Sequence, residues 1–175
     1  WSRPEEEVEG LLKLLKEFLV KEIRELHSQN IFVNIIGSEE RLDPAYLAEI
    51  RQIAAVTRNN TGLTVNMAFN YGGRTEIVDG IKNLFQQNAD NPDAIRNLTP
   101  ETFNQYLYTS GQPDPDLIIR TSGESRISNF LLWQGAYSEI YITDTLWPDF
   151  DKAAFIQAMI NFQGRKRRFG GVKNL

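Results

Sequence analysis

The chain has 175 residues, 41% of them apolar and 24% charged, with a formal net charge of −4. That length and balance suit a globular domain with a real core, and the acidic sign argues against broad nucleic-acid binding. The absence of cysteine excludes disulfides and thiolate chemistry, a single histidine excludes a His-rich zinc site, and no run approaches the roughly 18 apolar residues of a membrane span.

Apolar residues at Val8, Leu11, Leu12, Leu15, Leu19, Ile23 and Leu26 fall at helical spacing and predict a helix from Pro4 to about Gln29. Leu14, Phe18 and Val20 widen its stripe, and Ser2 with Glu5 resembles a capping box. Ile31 to Ile36 is a β-rich run ending at Gly37 and reads as a buried strand. Asp43-Pro44 opens a second helix, with Asp43 as cap and Leu47, Ile50 and Ile53 facing inward, which Asn59 to Gly62 closes. Leu63 to Phe69 is the next strand. Its exit, Asn70-Tyr-Gly-Gly-Arg74, reads as a corner into a helix carrying Ile77, Ile81 and Leu84 and lacks the spacing of a dinucleotide fingerprint. Asn91-Pro92 and Thr99-Pro100 start further helices, Gly111 to Pro115 turns the chain, and Leu117 to Ile119 is a strand. Ile140 to Ile142 and Asp151 to Phe162 supply a last strand and a last helix. This alternation predicts an α/β fold, a mainly parallel central sheet flanked by helices, and the lack of linkers or repeats makes residues 1–175 one domain.

Ligands of such sheets gather beyond the carboxyl ends of strands. The segment from Asp116 to Gln134 leaves an apolar strand and is expected to place Arg120, Arg126, Ser128 and Glu139 at its exit. Two guanidiniums and a hydroxyl make a cradle for phosphate oxygens, because Arg offers a rigid donor fork that matches them in pairs. A carboxylate nearby can hold the divalent ion that accompanies a diphosphate. Five of the 19 basic residues, Arg165 to Arg168 and Lys173, gather near the C-terminus; a solvated helix end accounts for them, and a nucleic-acid or anionic-lipid patch fits less well because such patches usually carry more charge.

Trp1-Ser-Arg-Pro-Glu-Glu-Glu-Val, Asn70-Tyr-Gly-Gly-Arg, the Asp116 to Gln134 segment with Tyr137, Glu139 and Trp147-Pro-Asp-Phe, and Arg167-Arg-Phe-Gly-Gly follow one another in this chain. In these blocks, and in their order, it resembles the cis-prenyltransferases, above all the bacterial undecaprenyl diphosphate synthases. The resemblance implies that isopentenyl diphosphate is condensed with an allylic diphosphate such as farnesyl diphosphate, with Mg2+, giving a long cis-polyprenyl diphosphate that serves as lipid carrier for cell-wall synthesis. It implies that Arg120, Arg126 and Ser128 hold the diphosphate of isopentenyl diphosphate and that Glu139 is a metal ligand. Arg3 would contact substrate diphosphate, and Arg168 would reach the site of a neighbouring subunit in a homodimer. Leu11, Leu14, Leu15 and Leu63 would line the tunnel for the growing chain, although their periodicity alone says only core. Ser125 stands where many relatives carry a histidine. The family's opening strand and Asp-Gly-Asn-Gly-Arg loop, which carries its essential metal-binding Asp, are not in this sequence. The chain is accordingly expected to correspond to the C-terminal portion of such an enzyme and to be inactive alone. A cytoplasmic location with at most peripheral membrane contact is expected.

Trp133 and Tyr137 read either as interface or as interior residues. A non-catalytic partner subunit of the same family is the alternative reading, against which the intact Arg120, Arg126 and Ser128 set argues. A generic α/β phosphate- or nucleotide-binding module is a third, and the missing Gly-rich loop counts against it.

Overall fold

The structure is a computed structural model that describes residues 3–166. The chain divides into two compact units, Trp1–Tyr71 and Gly72–Leu175. Among the described residues no helix is long and apolar enough to cross a membrane.

The first unit holds helix α1 (Glu5–Ser28), strand β1 (Phe32–Ile36), helix α2 (Pro44–Ala54) and strand β2 (Thr64–Ala68). Pro4 occupies the N-cap position of α1 without a side-chain cap, and Glu5, Glu6 and Glu7 lie at the positive helix start. The expected capping box rests on Ser2, which lies outside the described residues. Asp43 caps α2 as anticipated, its carboxylate accepting from the Tyr46 amide at 2.9 Å, with Pro44 in the first turn. A short 3-10 turn, Ala55–Thr57, ends α2 before the Asn59 to Gly62 stretch.

Strands β1 and β2 run parallel, Phe32 beside Thr64 through to Ile36 beside Ala68, with α2 as their crossover. The core of this unit is Leu15, Leu19, Ile23, Val33 and Ile50, which interlocks α1, α2 and β1. Thr57, a polar side chain buried among them, is satisfied: its hydroxyl accepts from the Val33 amide at 3.0 Å and donates to the Ala54 carbonyl at 2.8 Å. Gly37 adopts φ +142° where a Cβ would lie 1.8 Å from the Phe69 carbonyl oxygen, so only glycine lets the two strand exits run this close.

The second unit holds α3 (Gly73–Gln87), α4 (Pro92–Arg96), α5 (Pro100–Phe103), β3 (Leu117–Arg120), β4 (Glu139–Ile142) and α6 (Lys152–Gln163). The predicted starts hold: Asn91, Thr99 and Asp151 cap α4, α5 and α6 with their side chains. Leu84, Phe103, Tyr106 and Leu107 form its core. Trp133, half-buried, packs edge-on against Phe103 of this core at 5.0 Å between ring centroids and donates to Asn104 Oδ1 at 2.7 Å. Tyr137 is 75% exposed.

Strands β3 and β4 are also parallel, Leu117 beside Glu139 through to Arg120 beside Ile142. Parallel neighbours need a crossover. Here residues 121–138, rather than a long helix, provide it, and that connection carries the predicted chemistry. Helices with parallel strands make this an α/β fold, as predicted.

Candidate functional site

Arg120 is the last residue of β3. Beyond it Ser122 and Gly123 both take φ +68°, and their amides donate to the carbonyls of Thr145 and Thr143 at 2.9 Å each. A Cβ on Gly123 would meet Asp144 Oδ1 at 2.7 Å. The turn is thus bolted to the strand-exit segment beyond β4, and Glu124, Ser125 and Arg126 leave it in set directions.

Below that turn lies a cavity of about 300 Å3. Its walls are Ile118, Ile119, Ile127, Phe130, Ile140 and Ile142, and Arg120, Glu124, Ser125 and Arg126 supply its polar margin. Both guanidiniums close on one carboxylate: Arg120 Nη2 donates to Glu124 Oε2, and Arg126 Nη2 donates to Glu124 Oε1 at 2.5 Å. The hydrogen bond from Arg120, helped by the charge of Arg126, holds the Glu124 carboxyl below its ordinary value despite the opposing effect of desolvation. Arg120 Nε is buried and has no hydrogen-bond partner, which leaves one donor of that fork unused.

Two of the predicted cradle residues are therefore brought together, but around an internal carboxylate to which sequence reasoning gave no role. The signal was present, an acidic residue four after one Arg and two before the other. Ser128 does not join them. It is exposed, takes a left-handed backbone at φ 47° and is not part of the cavity wall. The crossover turns sharply there, with Asn129 and Leu131 also left-handed at φ 63° and 45°.

Glu139 corrects a second expectation. It does not stand at the strand exit with Arg120 but opens β4 beside Leu117, about 10 Å back along the strand direction. The reason is topological: in a parallel pair the start of one strand lies beside the start of the other. Its carboxylate accepts from Arg165 Nη1 at 2.7 Å, and the same guanidinium group reaches the Ile140 carbonyl and Asn161 Oδ1. Among the described residues no three His, Cys, Asp or Glu gather to hold a metal ion. One carboxylate neutralised by an arginine does not make a Mg2+ chelate, and the described residues alone do not fit that ion.

Arg3, in the first unit, is exposed and pairs with Glu7 one helical turn on. Of the tunnel candidates, Leu15 is core at 9% exposure, whereas Leu11, Leu14 and Leu63 are exposed at 45%, 62% and 66%. Leu11 and Leu14 with Phe18 form an apolar stripe on α1 beside its buried stripe of Leu15, Leu19 and Ile23. Arg168 lies outside the described residues.

Two polar residues that the sequence did not single out, buried Glu76 and exposed Asn129, tie the crossover to α3. Glu76 of α3, 1% exposed, accepts from the Tyr108 amide at 3.0 Å and from Gln134 Nε2 at 2.9 Å. Asn129 covers the start of α3: its carbonyl accepts from the Gly73 amide at 2.7 Å and its side-chain oxygen from the Arg74 amide at 2.9 Å.

The chain is similar to known proteins in sequence and in fold. The family model for undecaprenyl diphosphate synthase matches residues 1–170. Isoprenyl transferases of Heliobacterium mobile and Streptococcus pneumoniae R6 are 49% and 47% identical, over 99% and 98% of this chain and 66% and 70% of their own lengths. The chain thus spans about two thirds of the curated relatives it matches. Among solved structures, lavandulyl diphosphate synthase from Lavandula x intermedia, in complex with dimethylallyl diphosphate, superposes with a TM-score of 0.88 at 34% identity, covering 97% of this chain and 73% of that one. A probable undecaprenyl diphosphate synthase from Campylobacter jejuni gives 0.84 at 32% identity, covering 97% and 77%. The match extends from the first helix past the last and is not confined to the arginine-rich crossover, and the chain belongs to the undecaprenyl diphosphate synthase family of prenyltransferases.

Proposed function

We propose that this chain is the substrate-holding portion of an enzyme that condenses isopentenyl diphosphate with an allylic diphosphate, farnesyl diphosphate, into a long cis-polyprenyl diphosphate of the undecaprenyl type. The observation that carries this reading is the convergence of the Arg120 and Arg126 guanidiniums on one anionic group at the margin of an apolar cavity. A ligand suited to that site has a charged diphosphate end and a short hydrocarbon end. The guanidiniums match phosphate oxygens in pairs, and the isoleucine wall excludes water from the hydrocarbon. The unused Arg120 Nε leaves one further donor on that guanidinium. That a 34%-identical neighbour holds dimethylallyl diphosphate supports an allylic diphosphate as the second substrate.

In the reaction, the alkene of isopentenyl diphosphate forms a carbon–carbon bond to C1 of the allylic substrate. The C1–oxygen bond breaks, diphosphate leaves with the electron pair, and a proton is lost to set the new double bond. The residues described here bind and orient the homoallylic partner, and fixing two reactants in line removes much of the entropic barrier. The product is apolar, and Leu11, Leu14, Leu15 and Leu63 of the first unit are the residues proposed to shelter it, each buried unit gaining roughly 25 cal/mol per Å2. Ser128 would have to turn inward to join the phosphate contacts. Mg2+ belongs to the proposal only as a companion of the diphosphate, with Glu139 as the one carboxylate proposed to meet it. A homodimer in which Arg168 reaches the partner, use of the product as a cell-wall lipid carrier, and a cytoplasmic location complete the reading.

The test is incorporation of labelled isopentenyl diphosphate onto farnesyl diphosphate with Mg2+, by the chain and by a version extended upstream. The extended form should make polyprenyl diphosphate, the chain alone should not, and chelation of Mg2+ should abolish turnover. In the active form Arg126→Ala should raise the KM for isopentenyl diphosphate tenfold or more, which corresponds to about 1.4 kcal/mol. No incorporation by either form overturns the reading, and an unchanged KM removes Arg126 from the site.

A further inference from the structure

Glu124 stands between the two guanidiniums proposed above to receive a diphosphate. Each of its carboxylate oxygens is taken by a different guanidinium, and its side chain is 35% exposed while that of Arg126 is 67% exposed. The whole arrangement therefore opens to solvent, from which a ligand arrives. The turn that presents Glu124 is fixed through the Ser122 and Gly123 amides, so the carboxylate is held against the two arginines and not merely near them. A tethered group of this kind acts at high effective concentration. Carboxylate and phosphate also present the same paired acceptors to a guanidinium.

We propose that Glu124 is an internal occupant of the anion site, a stand-in that a diphosphate must displace before Arg120 and Arg126 can hold it. This rests on the reading of those arginines as the diphosphate site and adds to it a specificity device. While the site is empty, Glu124 keeps two like charges neutralised and prealigned. When an anion arrives, it yields only to one that offers both arginines more than a single carboxylate does. A diphosphate, with more charge and more acceptor oxygens, meets that condition, and a lone carboxylate or singly charged phosphate ester does not. Occupation by Glu124 lowers the fraction of molecules competent to bind, and the apparent affinity for diphosphate falls by that fraction.

Titration calorimetry with inorganic pyrophosphate, without metal, tests this on the wild-type chain and on Glu124→Gln, Glu124→Asp and Arg126→Ala. Removing the charge in Glu124→Gln should tighten pyrophosphate binding at least fivefold. Glu124→Asp, too short to bridge both guanidiniums, should tighten it by less. Arg126→Ala should weaken it tenfold or more. A residue that merely props the arginines would give the opposite sign, so equal or weaker binding by both Glu124 variants, while Arg126→Ala still weakens binding, overturns the gate and leaves the diphosphate site standing. No effect of Arg126→Ala overturns the site itself and the gate with it. Should Glu124→Gln melt below the assay temperature, Glu124→Asp decides alone, and absence of a gain there overturns the gate.

Discussion

Glu76 illustrates what a single buried carboxylate does in this chain. It lies on α3 at 1% exposure and receives the Tyr108 amide and the Gln134 side-chain amide, so it ties the helix to the loop before β3 and to the end of the crossover. Truncation would leave buried donors without acceptors, which costs about 1–3 kcal/mol for each unsatisfied group. Glu76→Ala should therefore lower stability to urea by about 2–4 kcal/mol, while Glu76→Gln, which keeps one acceptor oxygen, should lose roughly half as much. Equal stability of the alanine variant would mean that water replaces the carboxylate.

At the scale of elements, α3 shows how the crossover and the helix behind it depend on each other. Gly72 stands at its N-cap with no side chain to offer, and the free amides of the first turn need acceptors. Asn129, far away in sequence, supplies them from the crossover. Its own φ of 63° lies where Asn and Gly are tolerated and other residues are strained. Asn129→Ala should thus lose both the cap and the backbone fit, about 2 kcal/mol in all. Asn129→Gly keeps the backbone fit and should lose about 1 kcal/mol or less. Thermal melts of the two variants separate these contributions, and identical losses would assign the whole effect to the cap. Helix α1 carries a different lesson. Its apolar stripe is wider than its core requires, since Leu15, Leu19 and Ile23 are buried while Leu11, Leu14 and Phe18 remain exposed. That surplus is why periodicity alone could not tell which of these residues are buried.

For the molecule as a whole, pH should act through carboxyls whose folded values are depressed. Burial pushes Asp79 up, but the Tyr108 hydroxyl at 2.5 Å and Lys82 outweigh it and hold the carboxyl below the ordinary 3.8. Glu101 is lowered by its own backbone amide and the Thr99 hydroxyl, and Glu124 by Arg120 and Arg126, both from an ordinary 4.5. A depressed carboxyl binds fewer protons folded than unfolded. Its contribution is present above the unfolded value and is lost as pH falls through the folded one. The melting temperature should hold from about pH 7 to about pH 5.5 and decline below about pH 4.5. A decline that begins near neutrality would point to other groups.

Local chemistry was enough to set much of this architecture. Asp43, Asn91, Thr99 and Asp151 cap their helices because a short acceptor before a helical run has few better partners than the first-turn amides. The strand runs appear within a residue or two of their apolar, β-branched limits. Arg120 and Arg126 could be placed at one margin because strand and turn set their directions over a few residues. Other features depend on groups distant in the chain. Strand pairing put Glu139 beside Leu117 rather than beside the arginines. The left-handed run at Ser128, Asn129 and Leu131 turned Ser128 away from the cavity wall. Packing chose Leu15, and neither Leu11 nor Leu14, for the interior. The fit of Glu124 between two guanidiniums needed the turn anchored on Thr143 and Thr145. Short-range preferences fix where elements begin and which residues carry charge. Which charge meets which is decided only when strands from separate parts of the chain lie side by side.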